Sequence, residues 1–196
     1  MDVLGDLSNL SSIFLDDWRP GAASIFDLTQ LETVGIRRYP HSDLRPMQGW
    51  KKLVHLWLAS GGLESLDGVS DNIATLELAE LRKLSRVDQI ARCHKLNRLI
   101  IQSCRGLTSL IGIESCRALE FLSIFRIGTL TSLQPIRCLP NLKYLVLTEF
   151  AGLLEPDETI LDNMPQLETL IISKKLGIPA ERLRHVLPNT NLRIVP

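Results

Sequence analysis

No stretch of this 196-residue chain approaches eighteen consecutive apolar residues, so no segment is suited to span a membrane as a helix. Charge of either sign is not in excess: 22 basic and 22 acidic residues cancel. The basic footprint of a protein that grips a phosphate backbone is therefore missing, and nucleic acid is not expected as a partner. The opening residues lack a basic start followed by an apolar run, so no secretory signal is read and a cytoplasmic location is expected. A chain delivered by a non-classical route has the same appearance.

Motifs for catalysis and cofactor binding are equally scarce. Glycine does not cluster as phosphate loops require, no G-x-x-x-x-G-K occurs, and Gly61-Gly62 reads as a turn. The histidines, His41, His55, His94 and His185, are scattered, and no serine or cysteine carries a local nucleophile signature. Four cysteines contain no C-x-x-C pair, and only His94 lies near one of them, so convergent zinc ligands are not in view. Asp16-Asp17 and Glu77/Glu80 read as solvated charges. The chain is expected to be no enzyme and to hold no cofactor or metal.

Leucine, in contrast, supplies 37 residues, about twice an ordinary share, while aromatics make up only 5%. It recurs in a pattern. Nine segments carry an alternating apolar pair: Ile13/Leu15, Val34/Ile36, Leu56/Leu58, Leu76/Leu78, Leu99/Ile101, Leu122/Ile124, Leu145/Leu147, Leu170/Ile172 and Leu192/Ile194. The period is about 22 residues, which predicts stacked coils sharing one continuous core. Alternation marks each pair as a half-buried strand. Apolar residues also stand three and six positions before the pairs, except for Ser70 and Asn189, so a coil reads Φ-x-x-L-x-x-L-x-L. Runs of spacing three follow the strands, as in Leu84, Val87 and Ile90, and predict 3₁₀ or extended segments on the outer side. The stretch from Pro179 to Leu187 reads as a true helix, with Leu183, Val186 and Leu187 on one face. Leu153 to Leu161 has the longest spacing, with an acidic bulge at 155–158.

The phrases Leu96-x-x-Leu99-x-Ile101-x-x-Cys104 and Leu107-Thr-Ser-Leu110-x-x-Ile113 resemble leucine-rich repeats, the second being similar to the outer segments of internalins and protein phosphatase regulators. The resemblance implies an α/β solenoid of about nine coils forming one domain over 1–196, with a curved parallel sheet on the concave face and short 3₁₀ or irregular segments on the convex face. One column departs from that family. Where asparagine usually stands, three residues after the second strand leucine, this chain has Trp18, Tyr39, Gly61, Leu81, Cys104, Ile127, Phe150 and Lys175. An apolar turn is expected to replace the asparagine ladder. Cys93 and Cys116 fall in one core column, so they read as small buried residues.

Side chains that alternate with the buried pairs point out of the sheet. They include Trp57, Ile100 and Val146 in a central column, with Arg98, Phe121 and Tyr144 on one flank and Phe125 on the other. With Arg126 and Glu149 at the edge, this is the composition of a protein-binding surface, where aromatic anchors and arginine dominate. The predicted site is therefore Trp57, Arg98, Ile100, Phe121, Phe125, Arg126, Tyr144 and Val146, and the predicted role is a non-catalytic module that binds another protein. The family analogy also suits a bacterial immunity protein neutralising a cognate toxin, a signalling adaptor, or the recognition fragment of a larger receptor or ligase. Self-association through terminal coils is a further expectation, because uncovered repeat ends expose core.

Overall fold

The computed structural model describes residues 7, 9–19, 22–153, 159–162 and 164–196; the acidic bulge at 155–158 lies outside them. Its strands run in chain order as β1 (Ser12–Leu15), β2 (Thr33–Tyr39), β3 (His55–Gly61), β4 (Thr75–Ala79), β5 (Arg98–Gln102), β6 (Phe121–Phe125), β7 (Thr129–Leu130), β8 (Tyr144–Thr148), β9 (Gly152–Leu153), β10 (Thr169–Ser173) and β11 (Asn191–Val195). Nine of them form one parallel sheet in the order β1-β2-β3-β4-β5-β6-β8-β10-β11. β7 and β9 make a separate two-stranded ladder, which the sequence pattern did not suggest.

Register follows the repeat residue for residue. Val34 sits beside Ile13 and Leu56, Leu99 beside Leu76 and Leu122, and Leu170 beside Leu145 and Leu192. The apolar pairs from Val34/Ile36 to Leu170/Ile172 are fully buried, and those of β1 and β11 are half-buried. Each pair stacks on its counterparts in the adjoining coils, which is how one continuous core arises.

The outer segments are short, as their spacing of three predicts. They include 3₁₀ turns at Asp88–Arg92, Ile113–Ser115 and Gln134–Cys138, each burying one isoleucine. The α-helix, α1 (Ala180–Val186), begins one residue after Pro179 and buries Leu183. At the N-terminal end Trp18, Phe26, Tyr39, His41 and Trp50 pack ring against ring, with centroids 5.2–6.1 Å apart.

The turn after each strand explains how the solenoid does without asparagine. Arg38, Ser60, Glu80, Ser103, Arg126 and Glu149 all have φ between 53° and 58°, a left-handed conformation in one column of six successive coils. This kink sends the next residue inward, and Tyr39, Leu81, Cys104, Ile127 and Phe150 are buried there. The kinked residue's N–H serves the neighbouring coil: Glu80 donates to the Gln102 carbonyl at 2.8 Å, Ser103 to Phe125 at 3.0 Å and Arg126 to Thr148 at 3.2 Å. Backbone amides thus supply the inter-coil bonds, and the freed side chain joins the core.

Three cysteines are part of that core. The Cys104 thiol donates to the Gln102 carbonyl at 3.4 Å and that of Cys116 to the Ile90 carbonyl at 3.4 Å. Burial pushes the thiols of Cys93 and Cys116 up to about 12 and that of Cys104 up to about 11, from a usual 9.0. Unfolded thiols ionise first, so this contribution to stability is whole below about pH 9 and is lost as pH rises towards the folded values. A thiol-titrating disulfide reagent at neutral pH should find one group, the exposed Cys138, in the native protein and four in denaturant. A second rapidly reacting native thiol would contradict this packing. Stability to urea should also decline above about pH 9.

Candidate functional site

Parallel pairing brings side chains at equivalent strand positions side by side on the concave face. Arg98, Phe121 and Tyr144 are consecutive in this way on β5, β6 and β8. The Arg98 guanidinium lies 3.9 Å from the Phe121 ring centroid, and the Phe121 and Tyr144 rings are 6.1 Å apart at 32°. A guanidinium over a ring contributes about 0.5–1 kcal/mol at an exposed site. Glu77 is 3.8 Å from Arg98 on the other side, and the Tyr144 hydroxyl donates to Glu168 Oε2 at 3.0 Å. That hydrogen bond raises the Tyr144 pKa and keeps its phenol protonated. The flank is therefore a fixed row of carboxylate, guanidinium, two rings and carboxylate, with Tyr144 still 40% exposed.

Beside this row runs a second, Ile100 next to Ser123 and Ser123 next to Val146. Ser123 is buried, leaving a dip between two half-buried aliphatic residues. Phe125, beside Gln102 and Thr148, forms the opposite margin. Six of the predicted residues thus come together on β5, β6 and β8: Arg98, Ile100, Phe121, Phe125, Tyr144 and Val146.

The other two do not join them. Trp57 on β3 is separated from Ile100 by Glu77 of β4. It belongs instead to a hollow of about 490 Å³ lined by Phe14, His55, Thr75 and Glu77 among others. Gly35 seats the Phe14 ring of this hollow: a side chain at Gly35 would strike that ring, which lies across it and is 66% exposed. Phe14 is thus a surface aromatic that the predicted set omits. Its signal was present, a glycine flanked in its column by Phe14 and Trp57. Arg126 is turned over the rim by its left-handed backbone and pairs with Glu149, Nε to Oε2 2.9 Å.

The acidic residues Asp16, Asp17, Glu77 and Glu80 are each held by separate partners. Asp16 meets Arg37 at 3.5 Å and Asp17 meets Arg38 at 3.1 Å, while Glu80 accepts from Ser60 at 2.8 Å. Among the described residues no three His, Cys, Asp or Glu side chains converge to hold a metal, and no helix is long and apolar enough to cross a membrane.

Neither a protein-family model nor a curated protein matches the chain. Solved structures do. Internalin C2 of Listeria monocytogenes matches with a TM-score of 0.79 at 19% identity, over 97% of this chain and 83% of that one. A second Listeria internalin, inlF, gives 0.60 at 15% identity over 100% and 66%. The plant peptide hormone receptor RGFR1, solved in complex with RGF2, gives 0.59 at 18% over 99% and 38%. At such identities the likeness establishes the fold, a leucine-rich-repeat solenoid of the internalin-like class.

Proposed function

We propose that this leucine-rich-repeat solenoid is a binding module that holds another protein against its concave sheet, without catalysis, through Arg98, Ile100, Phe121, Phe125, Tyr144 and Val146. The observation that carries the reading is the row on β5, β6 and β8, in which Arg98 covers Phe121 and Phe121 meets Tyr144. Rings braced in this way lose little further freedom on binding, so more of the contact energy appears as affinity. Aromatic and arginine anchors are also the side chains that dominate interface energies. The receptor neighbour solved with RGF2 is compatible with a polypeptide ligand.

A photo-crosslinking residue tests the face directly. Placed at Val146 or Phe125 in the native host, it should capture the same protein, whereas placed at Ile111, which is 60% exposed on the outer side, it should not. Capture from Ile111 with none from Val146 would move the interface to the convex surface and end the proposal. The captured protein's identity separates the finer readings: a toxin indicates an immunity protein, a signalling component an adaptor.

A further inference from the structure

Ion pairs between successive coils run the length of the solenoid. Arg45 pairs with Asp67, Lys83 with Glu64, Arg92 with Asp71, Arg126 with Glu149 and Arg182 with Asp162, each across one repeat. Arg82 and Arg105 break the pattern. They stand in one column, four residues after Leu78 and Ile101, and both are exposed. Neither has a hydrogen-bond or ion-pair partner among the described residues. The same column holds Gly62 in the coil before and Gly128 in the coil after, so no side chain of that column flanks the two arginines.

These arginines line a hollow of about 440 Å³ on the rim, beyond the ends of the strands, and Arg126 enters it from the next coil. Of the three guanidiniums there, that of Arg126 is already paired with Glu149 at 2.9 Å. Those of Arg82 and Arg105 share the hollow with one carboxylate, that of Glu80, whose Oε2 accepts from the Ser60 hydroxyl at 2.8 Å. Ser103 adds a hydroxyl to the same hollow. Two unneutralised cations one coil apart repel each other and leave several N–H donors without a protein acceptor. An oxyanion ligand reverses both costs, and guanidinium forks bind carboxylates in a bidentate manner.

We infer that this rim hollow is a second binding site, distinct from the concave face, that takes an extended acidic segment of a partner protein by its Asp and Glu side chains. The shape selects the ligand. Arg82, Arg105 and Arg126 belong to three consecutive coils and so span roughly 10 Å along the sheet. A single phosphoryl group reaches one or two of them, whereas successive carboxylates of an extended chain reach all three. The Glu80 carboxylate in the lining also opposes a dianion more strongly than it opposes single carboxylates.

The inference is independent of what the concave face binds, and its test uses a free probe. Hexaglutamate is titrated into the full chain while the arginine side-chain Nε–Hε resonances are followed by NMR, with inorganic phosphate in parallel. Saturable shifts are expected at Arg82, Arg105 and Arg126, fading as salt passes about 0.1 M, where the screening length falls to about 10 Å. The double variant Arg82→Gln/Arg105→Gln should weaken hexaglutamate at least tenfold, and Arg184→Gln should leave it unchanged. Equal shifts at the exposed Arg117 and Arg184, or saturation by phosphate at lower concentration than by hexaglutamate, would overturn the assignment.

Discussion

Gly112→Ala is expected to cost roughly 3–5 kcal/mol, enough to unfold much of the protein near physiological temperature. Gly112 has φ 100° and ψ −29°, a region that side-chain-bearing residues avoid. A Cβ there would also lie 2.5 Å from the Asp88 carbonyl oxygen and 2.7 Å from its Cα. Those are backbone atoms of the preceding coil, so relief requires the two coils to separate. Gly35→Ala provides the contrast, because the atoms it strikes belong to the Phe14 ring, which can swing into solvent. Its cost should be below about 1 kcal/mol, within the range of ordinary surface changes and mild repacking. Urea unfolding followed by circular dichroism distinguishes the two. Similar midpoints for both variants would mean that the coils are not seated on one another as described.

The Phe121→Ala/Phe125→Ala double variant is expected to weaken binding of the protein captured through Val146 by two to three orders of magnitude. Each ring is assigned about 2 kcal/mol of interface energy, and each 1.4 kcal/mol is a factor of ten in affinity. Phe121 should carry the larger share, since Arg98 and Tyr144 brace it before any partner arrives. Folding should survive, with a loss of roughly 1–2 kcal/mol from half-buried ring area and the cation–π contact. Neither phenylalanine belongs to the buried strand pair of Leu122 and Ile124. Calorimetric titration with circular dichroism as a control separates lost binding from lost structure. Unchanged affinity in a folded double variant would remove these residues from the interface.

The architecture was legible because it is written nine times. A strand pair such as Leu99/Ile101 is ambiguous alone, but its neighbours one repeat away fix both its face and its register. The apolar turn was legible too, since Leu81, Cys104, Ile127 and Phe150 occupy the position usually given to asparagine. What made room for them was hidden. None of Arg38, Ser60, Glu80, Ser103, Arg126 and Glu149 is a glycine or an asparagine, the residues that ordinarily advertise a left-handed backbone. Coil stacking imposes that conformation, and local preference does not report it.

The same kink limited the reading of the surface. Adjacency in sequence placed Arg126 beside Phe125 at the patch, yet one left-handed residue carries its side chain over the rim. Column order held the answer for Trp57. Its neighbours in the outward column are Gly35 and Glu77, so an aromatic residue two strands from Ile100 was never part of the same patch. Arg82 and Arg105 share a column visible in the sequence, but their lack of a carboxylate partner appears only once the coils are stacked.

Every pairing in the main sheet joins strands about one repeat apart in the chain, and none reaches across the molecule. Such a solenoid responds to tension as a row of separable links. A pull along the stacking axis loads the coils in series, and each coil can detach while its remaining neighbours keep their shared core. The concave face would then shorten in steps of one strand, each step removing one rung from the partner's footprint.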